Sequence, residues 1–82
     1  MPKPRSSNGA KNLIGCRLKE LRALKGYSQR DLAKQLQLNG FDMDKNVITR
    51  IETNQRYVTD IELQALAKIF NVSYQYLIDG SE

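Results

Sequence analysis

Two short amphipathic segments, residues 28–36 and 47–52, constrain the fold of this chain more than any other feature. The inward positions of the first segment are Leu32, Ala33 and Leu36. In the second segment Ile48 and Ile51 share one face, and the opposite face is polar and cationic. Ser28 can cap the first segment as a helix. The pattern therefore predicts two successive short helices that bury their apolar faces against a common core.

Length and composition limit the class of protein. A chain of 82 residues is long enough for one domain with a modest core. It contains no apolar run near about 18 residues, so no membrane-spanning helix is expected. The basic N-terminus is not followed by the apolar stretch of a secretory signal. A single cysteine, Cys16, excludes an internal disulfide framework and is consistent with the cytoplasm.

The side chains that most enzymes and metal sites need are missing from the sequence. The chain has no histidine, the commonest general base and a common transition-metal ligand. There is also no nucleophile–base pair and no glycine-rich phosphate loop. Asp42 and Asp44 lack the spacing of a metal site and are better explained as turn and cap residues. We therefore expect no enzyme activity, cofactor, metal or small-molecule substrate.

Charge is distributed unevenly along the chain. Residues 1–30 carry eight bases and one acid, a net charge of +7, whereas residues 31–82 carry five bases and eight acids, a net charge of −3. A basic half favours an anionic partner such as a nucleic acid or a membrane surface. Lysine and arginine that merely solvate short helices would give the same asymmetry, so charge alone leaves both interpretations open.

The remaining patterns predict an all-α domain preceded by a tail. Residues 1–11 hold both prolines and a Ser-Ser-Asn-Gly run, which predicts a disordered basic N-terminal tail and leaves 12–82 as the domain. Five helices are expected, near 12–25, from Ser28, from Asp44 to about Thr53, from Thr59, and from Ser73 to Gly80. The first should be capped by Asn12 and bury Ile14, Leu18, Leu21 and Leu24 or Lys25.

Three stretches carry a resemblance to a known family. They read Leu18-x-x-Leu21-Arg22-x-x-Lys25-Gly26-Tyr27-Ser28-Gln29-x-x-Leu32-Ala33-x-x-Leu36, then Ile48-Thr49-Arg50-Ile51-Glu52-Thr53-Asn54-Gln55-Arg56, then Leu63-x-x-Leu66-Ala67-x-x-Phe70-Asn71-Val72-Ser73-x-x-Tyr76-Leu77. In this order, residues 13–79 resemble the Cro/repressor-type helix-turn-helix family, also called XRE-like. The resemblance implies a compact five-helix lambda-repressor-like domain. The segment between Leu36 and Ile48 is five residues longer than is usual there, so the turn is lengthened and the pose of the third helix is open.

The resemblance also implies roles for individual residues. Those that match base-contacting positions on the third helix are Lys45, Asn46, Thr49 and Arg50. Those that match phosphate-contacting positions are Gln29, Asn54 and Arg56. Arg22 and Glu52 match a structural ion pair between the first and third helices. Amide and cationic side chains suit these tasks, because they donate to base edges and to phosphate oxygens.

Together these features predict a sequence-specific double-stranded DNA-binding transcriptional regulator, a repressor, which reads the major groove with its third helix. One module of this kind buries only about 600–1,000 Å² of surface, which predicts a homodimer. The candidate dimer surface is Tyr74, Leu77 and Ile78, although these residues could equally complete the monomer core. The alternative is a protein-interaction module of the same fold, such as an antitoxin-like partner or an adaptor. The DNA-binding interpretation predicts a cytoplasmic, nucleoid-associated protein.

Overall fold

The computed structural model describes residues 9–80, and within them the secondary structure consists of five helices with no strand. The helices are α1 (Gly15–Lys25), α2 (Gln29–Leu38), α3 (Lys45–Glu52), α4 (Asp60–Phe70) and α5 (Tyr74–Asp79). The predicted all-α, five-helix class is therefore confirmed. Of the predicted tail, residues 1–8 lie outside the described residues, and Lys11 is hydrogen-bonded through its backbone to the loop after α3. No helix of residues 9–80 is long and apolar enough to cross a membrane.

Helix α1 starts later than the sequence predicted. Its first residue is Gly15, whose N–H donates to Asn12 Oδ1 at 2.9 Å, so Asn12 satisfies a helix-start donor from outside the helix. The buried face consists of Ile14, Leu18 and Leu21. The predicted burial of Leu24 or Lys25 is wrong, since both are exposed and Leu24 is 81% exposed. Leu24 lies about a third of a turn away from the face that carries Leu18.

Reciprocal capping boxes begin α2 and α4 at Ser28 and Thr59, where the sequence predicted these helices to start. At α2 the Asp31 N–H donates to Ser28 Oγ at 3.0 Å, and the Ser28 N–H donates to the Asp31 carboxylate at 2.9 Å. Thr59 and Glu62 make the same pair of bonds at the start of α4. Each box satisfies two backbone N–H donors that would otherwise lack partners, and so it fixes where the helix begins.

The capping carboxylate of α2 should make stability depend on pH. The hydrogen bond from the Ser28 backbone, followed by that from its hydroxyl, lowers the pKa of Asp31 below its ordinary value. A lowered folded-state pKa contributes stability that is present above the unfolded pKa, about 3.9, and is lost as pH falls through the folded pKa. Asp31→Asn should therefore lower Tm at pH 7, and this deficit should shrink below about pH 4. Thermal melts of both proteins from pH 7 to pH 2.5 measure it; a constant difference at all pH values would contradict it.

The lengthened turn between α2 and α3 is an ordered helix stop followed by a buried anchor. Gly40 has φ +86°, and the N–H groups of Gly40 and Phe41 donate to the carbonyls of Gln37 and Leu36, the two bonds of a Schellman motif. Met43 is only 2% exposed and enters the core, while Phe41 packs against it. This segment therefore folds back onto the core. The extra residues are therefore ordered, and they connect α2 to α3 through a buried side chain.

One hydrophobic core joins the helices. Its members are Ile14, Leu18, Leu21, Leu32, Ala33, Leu36, Met43, Ile48, Ile51, Ala65, Leu66, Ala67, Phe70 and Leu77. Helix α3 packs on both α1 and α2, and α4 packs on α2 and α5. Leu77 is fully buried, whereas Tyr74 and Ile78 are 50% and 38% exposed, so only the latter two remain available from the candidate dimer surface. Arg17 Nη1 also donates to the Leu77 carbonyl at 2.9 Å and ties α5 to α1.

Candidate nucleic-acid interface

Helix α3 is short and strongly amphipathic. Asp44 caps it by accepting a hydrogen bond from the Val47 N–H at 2.9 Å, as predicted. Ile48 and Ile51 are fully buried against α1 and α2. The outward side chains are Lys45, Asn46 and Arg50, and all three are exposed. Burial of the isoleucines therefore sets which side of α3 faces solvent, and that side carries two cations and an amide.

Thr49 and Gln29 bond to each other rather than pointing freely outward. Thr49 is half-buried, and its hydroxyl lies 2.9 Å both from Gln29 Oε1 and from the Lys45 carbonyl. A hydroxyl has one hydrogen, so it serves one of these acceptors at a time. Gln29 Nε2 donates to Glu52 Oε1 at 3.0 Å. Gln29 thus links the start of α2 to the middle and the end of α3, and one of its Nε2 hydrogens remains for another acceptor.

Arg22 and Glu52 lie together between α1 and α3, as the resemblance implied. Arg22 donates through Nε to Glu52 Oε2 at 2.7 Å and through Nη2 to Oε1 at 3.1 Å. The side chains are 17% and 4% exposed, so the pair is largely removed from water. The hydrogen bond to Glu52 raises the pKa of Arg22 above its ordinary value, and burial opposes it. The two-pronged geometry restricts rotation of α3 relative to α1.

A shallow cationic cleft lies between the first turns of α2 and α3. Its lining residues are Arg22, Ser28, Gln29, Arg30 and Lys45. The first N–H groups of a helix lack intrahelical acceptors, and the positive end of the helix dipole lies at the same point. Arg30 and Lys45 are both exposed at the rim. Such a cleft favours an anion the size of a phosphate group.

The loop after α3 is held to the start of the domain. Asn54 adopts a left-handed conformation, φ +60°, and its Nδ2 donates to Asn12 Oδ1 at 3.0 Å. Arg56 is ion-paired with Glu62, and its Nε is buried with no hydrogen-bond partner among residues 9–80. Of the three side chains for which the resemblance implied phosphate contacts, the two in this loop, Asn54 and Arg56, therefore have internal partners, and their contact with phosphate stays a prediction.

Sequence reasoning missed two contributors to this surface. Asn12 was expected only to cap α1, yet it bonds to carbonyls 39 and 44 residues away. Arg30 was counted only in the overall charge, yet it lines the cleft beside Gln29. Contacts over such separations leave no local pattern, so the chain itself offered no signal for Asn12. The exposed position of Arg30 follows from helical spacing against Leu32 and Leu36.

Comparison with known proteins agrees with this architecture. A family model described as helix-turn-helix matches residues 18–77, which is most of the chain. The chain belongs to the helix-turn-helix family. The match spans α2, α3 and α4 entirely and confirms the Cro/repressor-type, XRE-like resemblance, so the protein is a DNA-binding helix-turn-helix regulator. Neither the curated proteins nor the solved structures gave a significant match. Asn12 and Gly15 precede the part of the chain that the helix-turn-helix model matches.

Proposed function

We propose that this protein is a sequence-specific transcriptional repressor that inserts α3 into the major groove of duplex DNA. One observation carries the proposal. The outward side chains of α3, Lys45, Asn46 and Arg50, are exposed and have no hydrogen-bond partner among the described residues, whereas neighbouring polar groups are internally bonded. Buried or internally satisfied donors cannot read a base edge without breaking existing bonds. Unengaged donors on one short helix can do so at no such cost.

The three donors suit different partners. A guanidinium can donate two hydrogen bonds to the O6 and N7 atoms of guanine, which suits Arg50 in the last turn of α3. A carboxamide can both donate to and accept from adenine, which suits Asn46. Lys45 lies at the first turn beside the cationic cleft, where either a base or a phosphate is within its range. Thr49 holds Gln29, so we assign it a smaller share of base reading than its position in the family pattern implies.

The cleft at the start of α2 would anchor the DNA backbone. Gln29 keeps one Nε2 hydrogen after bonding to Glu52, and Arg30 lies at the rim. A phosphate placed here would meet the N-terminal end of α2 together with these donors. Each phosphate neutralised makes the logarithm of affinity fall with the logarithm of salt concentration by a slope of about 0.9. Binding should therefore weaken steeply between low and physiological salt.

A second copy of the chain would supply the affinity that one small module lacks. Two modules related by a two-fold axis would place their α3 helices in successive major grooves, about 34 Å apart on one side of the duplex. Tyr74 and Ile78 are the exposed apolar side chains left at α5 for such an interface. The proposed target is therefore a pseudo-palindrome.

Replacing Arg50 should reduce specific binding. Arg50→Ala should weaken affinity for the selected site by about 1–3 kcal/mol and relax preference at one base position, because a bidentate base contact is lost. Selection from a random duplex pool first gives the site, and fluorescence anisotropy at two salt concentrations then gives affinities. Lys68→Ala removes the same charge from an exposed position near the end of α4 and serves as the matched control.

The two variants separate base reading from general electrostatics. If Arg50→Ala and Lys68→Ala weaken binding equally and leave base preference unchanged, α3 does not read bases through Arg50. If the wild-type protein binds no duplex even at low salt, the regulator functions through another macromolecule. That result would favour the protein-interaction alternative.

A further inference from the structure

The side chain of Asn12 uses every hydrogen-bonding group it has. Its Oδ1 accepts from the Gly15 N–H at 2.9 Å, which fixes the orientation of the amide. Its Nδ2 donates to the Ile51 carbonyl at 3.1 Å and to the Arg56 carbonyl at 2.8 Å. Its Oδ1 also accepts from Asn54 Nδ2 at 3.0 Å. A residue needed only to cap α1 would make the first of these bonds and none of the others.

Of the two carbonyls to which Asn12 donates, one lies just before the turn formed by residues 53–56 and the other belongs to its last residue. Ile51 belongs to the last turn of α3, and Arg56 lies in the loop that joins α3 to α4. Between them, the Asn54 carbonyl accepts from the Lys11 N–H at 3.1 Å. Residues 11 and 12 therefore donate hydrogen bonds to three carbonyls in or just before this turn, and these oxygens are directed towards the start of α1.

This arrangement matters for a phosphate that approaches the turn. The C-terminal end of a helix carries partial negative charge on its unsatisfied carbonyls, which repels a phosphate. Lys11 and Asn12 donate hydrogen bonds to the carbonyls of Ile51, Asn54 and Arg56, so these oxygens have acceptor bonds to the start of the domain. Asn54 reinforces the geometry because its left-handed conformation ends α3 and places its amide on Asn12.

We propose that Asn12 is a positioning residue that holds the turn at residues 53–56 in the conformation that contacts a DNA phosphate. This inference rests on the proposed DNA-binding function. It assigns a role to a residue that precedes the part of the chain matched by the family model, residues 18–77. The consequence is that the start of the domain, and not only its helix pair, controls contact with the DNA backbone.

Asn12→Ser separates this role from helix capping. Serine is neutral and caps helices about as well as asparagine, but its short hydroxyl cannot bridge the carbonyls of Ile51 and Arg56. If Asn12 positions the turn, Asn12→Ser should reduce the slope of log affinity against log salt by about 1, because Arg56, the cation of this turn, loses its phosphate contact. Amide hydrogen exchange, followed by NMR, should become faster at Asn54 and Gln55 while α4 amides stay protected.

Ser73→Ala is the matched control because it removes a side-chain cap from α5. It should leave both the salt slope and exchange at residues 53–56 at wild-type values. The proposal is overturned if Asn12→Ser keeps the wild-type slope, or if its slope changes no more than that of Ser73→Ala. Wild-type binding is measured first, so a protein that binds no duplex overturns the DNA-binding function itself, and this positioning role with it. Asn12→Ala provides a second neutral variant, and it should lower the slope by the same amount.

Discussion

Glu52→Ala should lower the free energy of unfolding by about 3–5 kcal/mol, because it leaves Arg22 charged and largely buried without its partner. The Glu52 side chain is 4% exposed and accepts hydrogen bonds from both Arg22 and Gln29. A domain of this size has only about 5–15 kcal/mol of stability in total. Urea unfolding followed by helical circular dichroism measures the loss, and a free energy equal to the wild-type value would contradict the structural role of the pair.

A double replacement tests the cause of that loss. In Arg22→Leu combined with Glu52→Leu no uncompensated charge remains, so stability should recover much of what Glu52→Ala loses. The same double variant should bind DNA more weakly than the wild type, because Gln29 loses its partner Glu52 and the cleft loses Arg22. Recovery of stability without recovery of DNA affinity would show that the network orients the interface.

Gly15→Ala should destabilise the domain by about 1–3 kcal/mol even though alanine is the better helix former. A Cβ at this position would lie 2.4 Å from the Ile51 carbonyl oxygen and 2.8 Å from Asn54 Nδ2. The nearest atom belongs to the backbone, so no side-chain rotation relieves the contact, and α1 must move away from the end of α3. Chemical unfolding of the purified variant measures the change.

Ala23→Gly in the same helix gives the reference for that result. Ala23 is exposed, so its replacement should cost only the intrinsic preference, about 1 kcal/mol. Glycine should thus be favoured at position 15 and disfavoured at position 23. A Gly15→Ala protein more stable than the wild type would show that α1 and α3 do not approach as closely as the structure indicates.

Much of the fold could be predicted because its signals are local. Ser28, Asp44, Thr59 and Ser73 each begin a helix where the capping pattern placed them. Apolar spacing of three and four residues identified most of the core, since such positions share one side of a helix. The predicted burial of Leu24 was wrong because this side chain is as apolar as those of the core but lies on a different side of α1. Asn12 was predicted to cap α1, but the N-cap position belongs to Ile14, and the Asn12 side chain accepts from the Gly15 N–H from outside the helix.

In the candidate site, too, local features could be predicted from the sequence and long-range contacts could not. Spacing along α3 was enough to place Lys45, Asn46 and Arg50 on the outer side, because Ile48 and Ile51 had to face inward. Spacing could not show that Thr49 and Gln29 are bonded to each other, or that Asn54 is bonded to Asn12. These partners lie 20 and 42 residues apart in sequence, and only folding brings them together.

The sequence by itself determined the helical class, the starts of α2 to α5, the family and the outward side of α3, because capping and periodicity act within a few residues. Tertiary structure alone decided the pose of α3 after the lengthened turn. That pose is set by the burial of Met43, by the pairing of Arg22 with Glu52, by the close approach at Gly15 and by the bonds from Asn12. Each of these contacts joins residues distant along the chain, so its energy exists only once the core has formed.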